Sequence, residues 1–304
     1  IAAWLRDLAR VRRPRTIMRA HAALAPWLVW TAEHTRTPAP TVDAITRAAV
    51  AAHDAALVAR ASSVSTRRTY AWAIGSVWRW GWGHPDWRGG MVEPSMPAMP
   101  SVEREPVQAA TWAQLDAVVR AADDGAPEWA RRLVTLLRGT GWRVTQLAGL
   151  DWSDVDLQAG TLRLRAELGK SAHERRGRVV PLAPWLVAYL ATLGRREGRV
   201  IGETRNAAAC SRAIGKLWRK TDATAALYEQ RPDHAFRIGL VSELTRSRVD
   251  REAVEHYVGH APGIRGHYVD ASALPLSEVA AAIPVPLCLK PGAVADVVEL
   301  RRRA

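Results

Sequence analysis

The chain has 304 residues, enough for two domains that each bury a core, and its 48% hydrophobic content excludes a largely disordered polypeptide. With 43 basic against 30 acidic side chains it carries a formal charge of +13, which points to a polyanionic partner, nucleic acid before an anionic membrane surface. Its longest apolar run, HAALAPWLVW, is broken by Pro26 and falls short of the roughly 20 residues of a spanning helix, so no membrane partner is expected. The only cysteines, Cys210 and Cys288, imply no disulfide framework and suit a reducing, cytoplasmic compartment. No signal-peptide pattern opens the chain, and a start at Ile1 rather than Met is expected of a trimmed or partial chain.

Residues 1–90 read as all-helical. Pro14 and Thr16 precede an amphipathic run through Leu24, Trp27, Leu28 and Trp30. A second helix is expected from Thr41, as cap, to Arg60, with Asp43 in its first turn. A third starts near Ser63 or Ser65 and stops at Gly81, Gly83 and His84-Pro85. Residues 91–108, with four prolines and little apolar period, predict a linker to a second domain over 109–285. There, helices are expected near 111–122, 127–138 and 144–147. The pattern then changes to strands: DVDL, the turn QAG and TLRLR form a hairpin, and RVVPL a third strand beyond a polar loop. Helices follow at 184–196, 207–223, 234–247, 250–258 and 275–282, and 286–304 reads as a tail ending in a short helix.

Over residues 1–95, 13 arginines face 6 acidic residues. Arg12, Arg13 and Arg15, and Thr66, Arg67 and Arg68, sit at predicted helix starts, where N–H groups and hydroxyls also suit a phosphate; a solvated basic face is the plain alternative. Trp72, Trp78, Trp80, Trp82 and Trp87 could stack on bases, but such a stripe is more often core, and Phe236 is the only phenylalanine in the chain.

Lysine is scarce: 39 of the 43 basic residues are arginine, and Lys170 lies in the polar loop between strands. Arginine forks onto phosphate but does not readily release a proton, so a lysine here is a candidate for a titratable cation, with chance placement the plain alternative. Arg143 follows a glycine turn at a helix start, and His234 and Arg237, three apart, share one helix face. His260 ends the turn VGH; with His256 it makes an i, i+4 pair, but HYVGH lacks the acid of a metalloprotease helix, and zinc is not expected. Among five tyrosines, Tyr257 sits between apolar helix neighbours, whereas Tyr268 lies in a polar, glycine-punctuated stretch near His260 and is the best nucleophile. Neither a nucleophile-elbow serine nor a phosphate-binding glycine loop occurs, so no cofactor is expected.

Taken in order, GTGWRVTQLAGLDWSDVD, GKSAHERRGRVVPL, HAFR and YVGHAPGIRGHYVD resemble the tyrosine recombinase, or phage integrase, family, and TYAWAIGSVWRW resembles its helical core-binding domain. The resemblance implies a mainly α fold with a small β-sheet: an N-terminal helical core-binding domain and an α+β catalytic domain. It implies a site-specific recombinase that integrates, excises or resolves a mobile element, acting as a homotetramer on paired sites in double-stranded DNA, with nucleoid-associated cytoplasmic localisation. It makes Tyr268 the nucleophile of a 3′-phosphotyrosyl bond, Lys170 the acid for the leaving 5′-oxygen, and Arg143, Arg237, His234 and His260 the phosphate binders. Neither metal nor ATP is needed, and residues 286–304 become a candidate for packing on a neighbouring protomer. Gln146 stands where the family usually has an acid, Ile238 where many members carry histidine, and the His260–Tyr268 interval is one residue short. A catalytically impaired DNA-binding protein of this fold and a type IB topoisomerase-like enzyme are the alternatives.

Overall fold

A computed structural model describes residues 1–12, 14–36, 44–86, 88–89, 91–101, 108–169, 177–194, 196–221, 231–260 and 270–289. The chain divides into two compact units, Ile1–Glu105 and Pro106–Ala304.

The first unit is built of α1 (Ala2–Val11), α2 (Pro14–Thr35), α3 (Arg47–Ala59) and α4 (Val64–Gly83). Pro14 opens α2, as its fixed φ favours. Pro26 does not break that helix: Leu24, Trp27 and Trp30 bury on both sides of it, which offsets the missing N–H. Helix α3 starts later than expected, because Thr46, not Thr41, is its cap and accepts from the Ala49 N–H at 3.1 Å. That start lets Ile45 and Val50 bury in one cluster, the arrangement of a hydrophobic staple. Ser63 caps α4 through the Thr66 N–H.

The core of this unit is tryptophan-rich, with Trp4, Trp27, Trp30 and Trp78 buried and Trp80 and Trp82 packed against it. Trp72 is the exception at 43% exposure, and Trp87 lies outside the described residues. Residues 91–101, expected as the first part of the linker, are fastened to this unit: the Trp78 indole donates to Val92 O (2.8 Å) and Arg68 to Pro100 O (3.1 Å).

In the second unit α6 (Glu128–Thr140) is buried on nearly every side, packed by α5 (Trp112–Asp123), α8 (Pro184–Thr192), α9 (Ala207–Arg219) and α10 (Pro232–Arg246). Thr111 and Gln114 close a capping box on α5. Gly141, at φ +61°, stops α6 and turns the chain through Trp142 and Arg143 into the short α7 (Val144–Ala148). Strands β1 (Val155–Asp156), β2 (Thr161–Leu164) and β3 (Arg178–Pro181) form an antiparallel sheet in that order, with Leu162 opposite Val180. Leu162 and Leu164 face the core, as their alternation predicts. Helices α11 (Arg251–Val258) and α12 (Leu276–Ala281) complete the unit. Three helices are displaced from expectation: α8 and α9 end about one turn early, and α10 begins at Pro232, where proline suits the first helical position.

Candidate phosphate-binding site

The site grows from two turns and one helix. The first turn, Gly141–Arg143, makes Arg143 the N-cap of α7. The buried side chain of Gln146 reaches back, its Oε1 accepting from the Arg143 backbone N–H at 3.0 Å. The amide thus braces the backbone of Arg143 without adding charge, and its Nε2 has no partner among the described residues. Burial lowers the Arg143 pKa.

The second turn is set by Gly259, whose φ of +77° ends α11 and presents His260, with the His260 N–H bonded to Glu255 O (2.8 Å). Two bonds fasten this end of α11 to α6 and the first turn, and a third ties α10 to that turn. The Tyr257 hydroxyl donates to Gly139 O (3.2 Å), the Trp142 indole donates to Tyr257 O (3.0 Å), and Arg237 donates through Nη1 to Gly141 O (3.3 Å). Tyr257 is fully buried and its pKa is raised by burial, so it serves the core.

Between the turns lies α10, bearing His234 in its first turn and Arg237 one turn on. Arg237 is 4% exposed, and its Nη2 has no hydrogen-bond partner among the described residues. Burial first, then the neighbouring Arg143 and Arg178, push its pKa down to about 9, which leaves it protonated at neutral pH. Its Nε donates to His260 Nε2 at 3.1 Å, so that nitrogen acts as an acceptor and the imidazole is neutral. Consistently, burial and then Arg237 and Arg143 push His260 down to about 4. Burial also lowers His234, against the opposing pull of Asp233. Cations thus converge here, Arg237 buried and Arg143 and Arg178 half-buried, and an arriving anion would relieve their desolvation and mutual repulsion together.

Arg143, His234, Arg237 and His260 all belong to this neighbourhood, whereas Lys170 and Tyr268 lie outside the described residues. Sequence reasoning missed Arg178. It read as an ordinary strand arginine, and the one signal available was a cation opening the otherwise apolar run RVVPL. Among the described residues no three or more acidic, histidine or cysteine side chains could hold a metal ion, and no helix is long and apolar enough to cross a membrane.

The basic residues of the first unit differ among themselves. Arg67 turns inward, binding Asp54 through Nε (2.8 Å) and Nη2 (2.5 Å), so its charge braces α3 against α4 rather than facing solvent. The Thr66 hydroxyl lies 2.9 Å from that of Ser63. Arg12, just past α1, is exposed, while Arg13 and the side chain of Arg15 lie outside the described residues. A cavity of about 410 Å³ is lined by Thr16, Arg19, Ser65, Arg68, Thr69 and Trp72; Trp72 is one of the tryptophans that could stack on bases, whereas Arg19 and Thr69 had not been singled out from the sequence.

The sequence model of the phage integrase family matches residues 110–270, more than half the chain and the whole stretch that carries this geometry. The chain belongs to the phage integrase family. Among its relatives, tyrosine recombinase XerC of Rhodospirillum centenum is 28% identical over 272 residues, spanning 85% of this chain and 77% of that protein. Among solved structures, the Tn1549 transposon integrase in complex with transposon right end DNA superposes with a TM-score of 0.63 at 12% identity, over 99% of this chain and 98% of that one. A lambda integrase tetramer bound to a Holliday junction gives 0.62 at 16% identity, over 90% and 76%. At such identities these likenesses establish the fold. As a member of the integrase family, the chain is a tyrosine-type site-specific DNA recombinase.

Proposed function

We propose that the cationic site binds the scissile phosphate of double-stranded DNA and that Tyr268 attacks it. The new bond joins the phenolic oxygen to phosphorus as a 3′-phosphotyrosine; the bond that breaks is phosphorus to the 5′-oxygen, which leaves as a hydroxyl after taking a proton from Lys170. Arg143 and Arg237 hold the non-bridging oxygens as charge builds on them. The neutral ring of His234 has an N–H to offer the phosphate and a second nitrogen that can take up the phenolic proton, while His260, whose Nε2 accepts from Arg237, offers its remaining N–H. The observation that carries this reading is Arg237, buried with an unpartnered Nη2 among the described residues and with two other guanidinium groups depressing its pKa.

Residues 1–90 act in this reading as the core-binding domain, joined through 91–108 to the catalytic domain, 109–285. Arg12, Arg13, Arg15, Thr66 and Arg68 contact the DNA backbone, while Arg67 acts indirectly through its bond to Asp54. The recombinase works as a homotetramer on paired sites of a mobile element in the cytoplasm, with 286–304 packing on the neighbouring protomer.

Nicked suicide duplexes made from the DNA flanking the gene test the chemistry. The expected result is a covalent protein–DNA adduct that Tyr268→Phe abolishes; an adduct that survives that change removes Tyr268 from the reaction. Lys170→Ala should cut slowly, yet cut a 5′-thio substrate at nearly the normal rate. Equal slowness on both substrates removes Lys170 as the acid.

A further inference from the structure

Arg178 opens β3 and reaches across the unit to the two turns that carry the site. The centre of its guanidinium sits 4.8 Å from the centroid of the Trp142 ring, in cation–π contact, and its Nη2 donates to Val258 O at 3.1 Å. Trp142 immediately precedes Arg143, and Val258 lies two residues before His260. One side chain therefore contacts both turns. The fit leaves no room at Gly259, where a Cβ would collide with the Arg178 guanidinium. Gly259 is thus required twice, for its positive φ and for the space the arginine occupies.

We propose that Arg178 is a positioning residue of the phosphate site, wedged between Trp142 and Gly259 so that Arg143 and His260 are held at a fixed separation. The proposal rests on the reading of that site as the scissile-phosphate seat. A purely structural role is the weaker account. Arg178 places a further, half-buried cation beside Arg143 and Arg237, and its buried Nε has no partner among the described residues. An apolar side chain of similar length would fill the same space without that repulsion, and replacing buried charges by apolar groups is often stabilising. What methionine lacks is the planar fork, which stacks on an indole with its face while its edge donates to a carbonyl.

The test compares wild type, Arg178→Met and Arg178→Lys, using inorganic phosphate as probe and the His260 imidazole resonances as reporter, assigned with His260→Gln. Wild type should bind phosphate with a change in the His260 signals. Arg178→Met should shift those signals before phosphate is added, weaken phosphate binding by about tenfold and slow adduct formation on the flanking DNA by about 10–100-fold. Arg178→Lys, which keeps the charge but loses the fork, should restore neither. Full recovery with lysine would overturn positioning in favour of charge alone, and wild-type behaviour of Arg178→Met would overturn any role. Should Arg178→Met fail to fold, Gly259→Ala displaces the same guanidinium with Arg178 present; wild-type phosphate binding by that variant overturns the proposal. If wild type itself binds no phosphate, the reading of the site falls and this proposal with it, an outcome distinct from an Arg178 variant that binds as well as wild type.

Discussion

Arg138 and Arg237 are both sealed from solvent, at 0% and 4% exposure, but the charge around them differs in sign. Arg138 donates from Nε to the buried carboxylate of Asp116 at 2.7 Å, lies over the Trp112 ring and donates from Nη2 to Pro284 O (3.2 Å); Asp116 in turn accepts the Leu287 N–H (3.2 Å). That pair clips the segment around 284–287 onto α5 and α6, and Asp116 opposes the loss of charge that burial favours. Arg237 instead has guanidinium neighbours, a neutral imidazole and a carbonyl. A buried cation with its carboxylate belongs to the fold; one without it, beside further cations, stores an electrostatic cost that a substrate anion can relieve.

Breaking the compensated pair should have the largest effect. Asp116→Ala leaves Arg138 buried and unpaired and should cost about 3–5 kcal/mol in denaturant unfolding of the second unit. A loss below 1 kcal/mol would place Arg138 outside the structural class. Arg237→Met should behave oppositely, with cleavage of the flanking-DNA duplex falling by about 10²–10³ while thermal stability holds or rises. A melting loss like that of Asp116→Ala would reveal a counter-charge beside Arg237. Inorganic phosphate sharpens the contrast: at about 100 times its Kd it should stabilise wild type by about 2.7 kcal/mol, and Arg237→Met far less. An equal shift in both would move the anion elsewhere.

Acid should give the smallest effect. The His260 pKa is lowered from 6.5 to about 4 by burial and the adjacent arginines. Its contribution is therefore intact above pH 6.5, where folded and unfolded chains both hold it neutral. As pH falls from 6.5 toward 4 the unfolded chain takes a proton the folded one refuses, and stability declines. In His260→Gln that decline should be shallower, and identical pH profiles would mean His260 titrates normally.

Much of the second unit could be read along the chain because its signals are local. Thr111 and Gln114 make a cap, Gly141 a stop, and the alternation of Leu162 and Leu164 a strand face. Thr46 rather than the expected Thr41 caps α3, because that start buries Ile45 and Val50 together, a packing preference no local cap signal carries. Tyr257 could be assigned to the core from its apolar neighbours alone, and the fully buried ring agrees.

The succession of Arg143, Lys170, His234, Arg237, His260 and Tyr268, and with it the family, was legible in the sequence itself, because residue types and their spacing can be read without any tertiary contact. The fate of each arginine was decided only by tertiary structure. In sequence Arg138 and Arg178 pass as ordinary cations, Arg67 belongs to a basic cluster suited to phosphate, and Arg237 shares a helix face with His234, but none shows which charge will stand beside it. Folding gives the first two a carboxylate, Asp54 and Asp116, and sets the last two among their own kind beside Gly259 and His260. The energy of a buried charge depends on what stands a few ångströms away, and those neighbours come from residues far along the chain, as with Arg138 and Pro284, 146 positions apart.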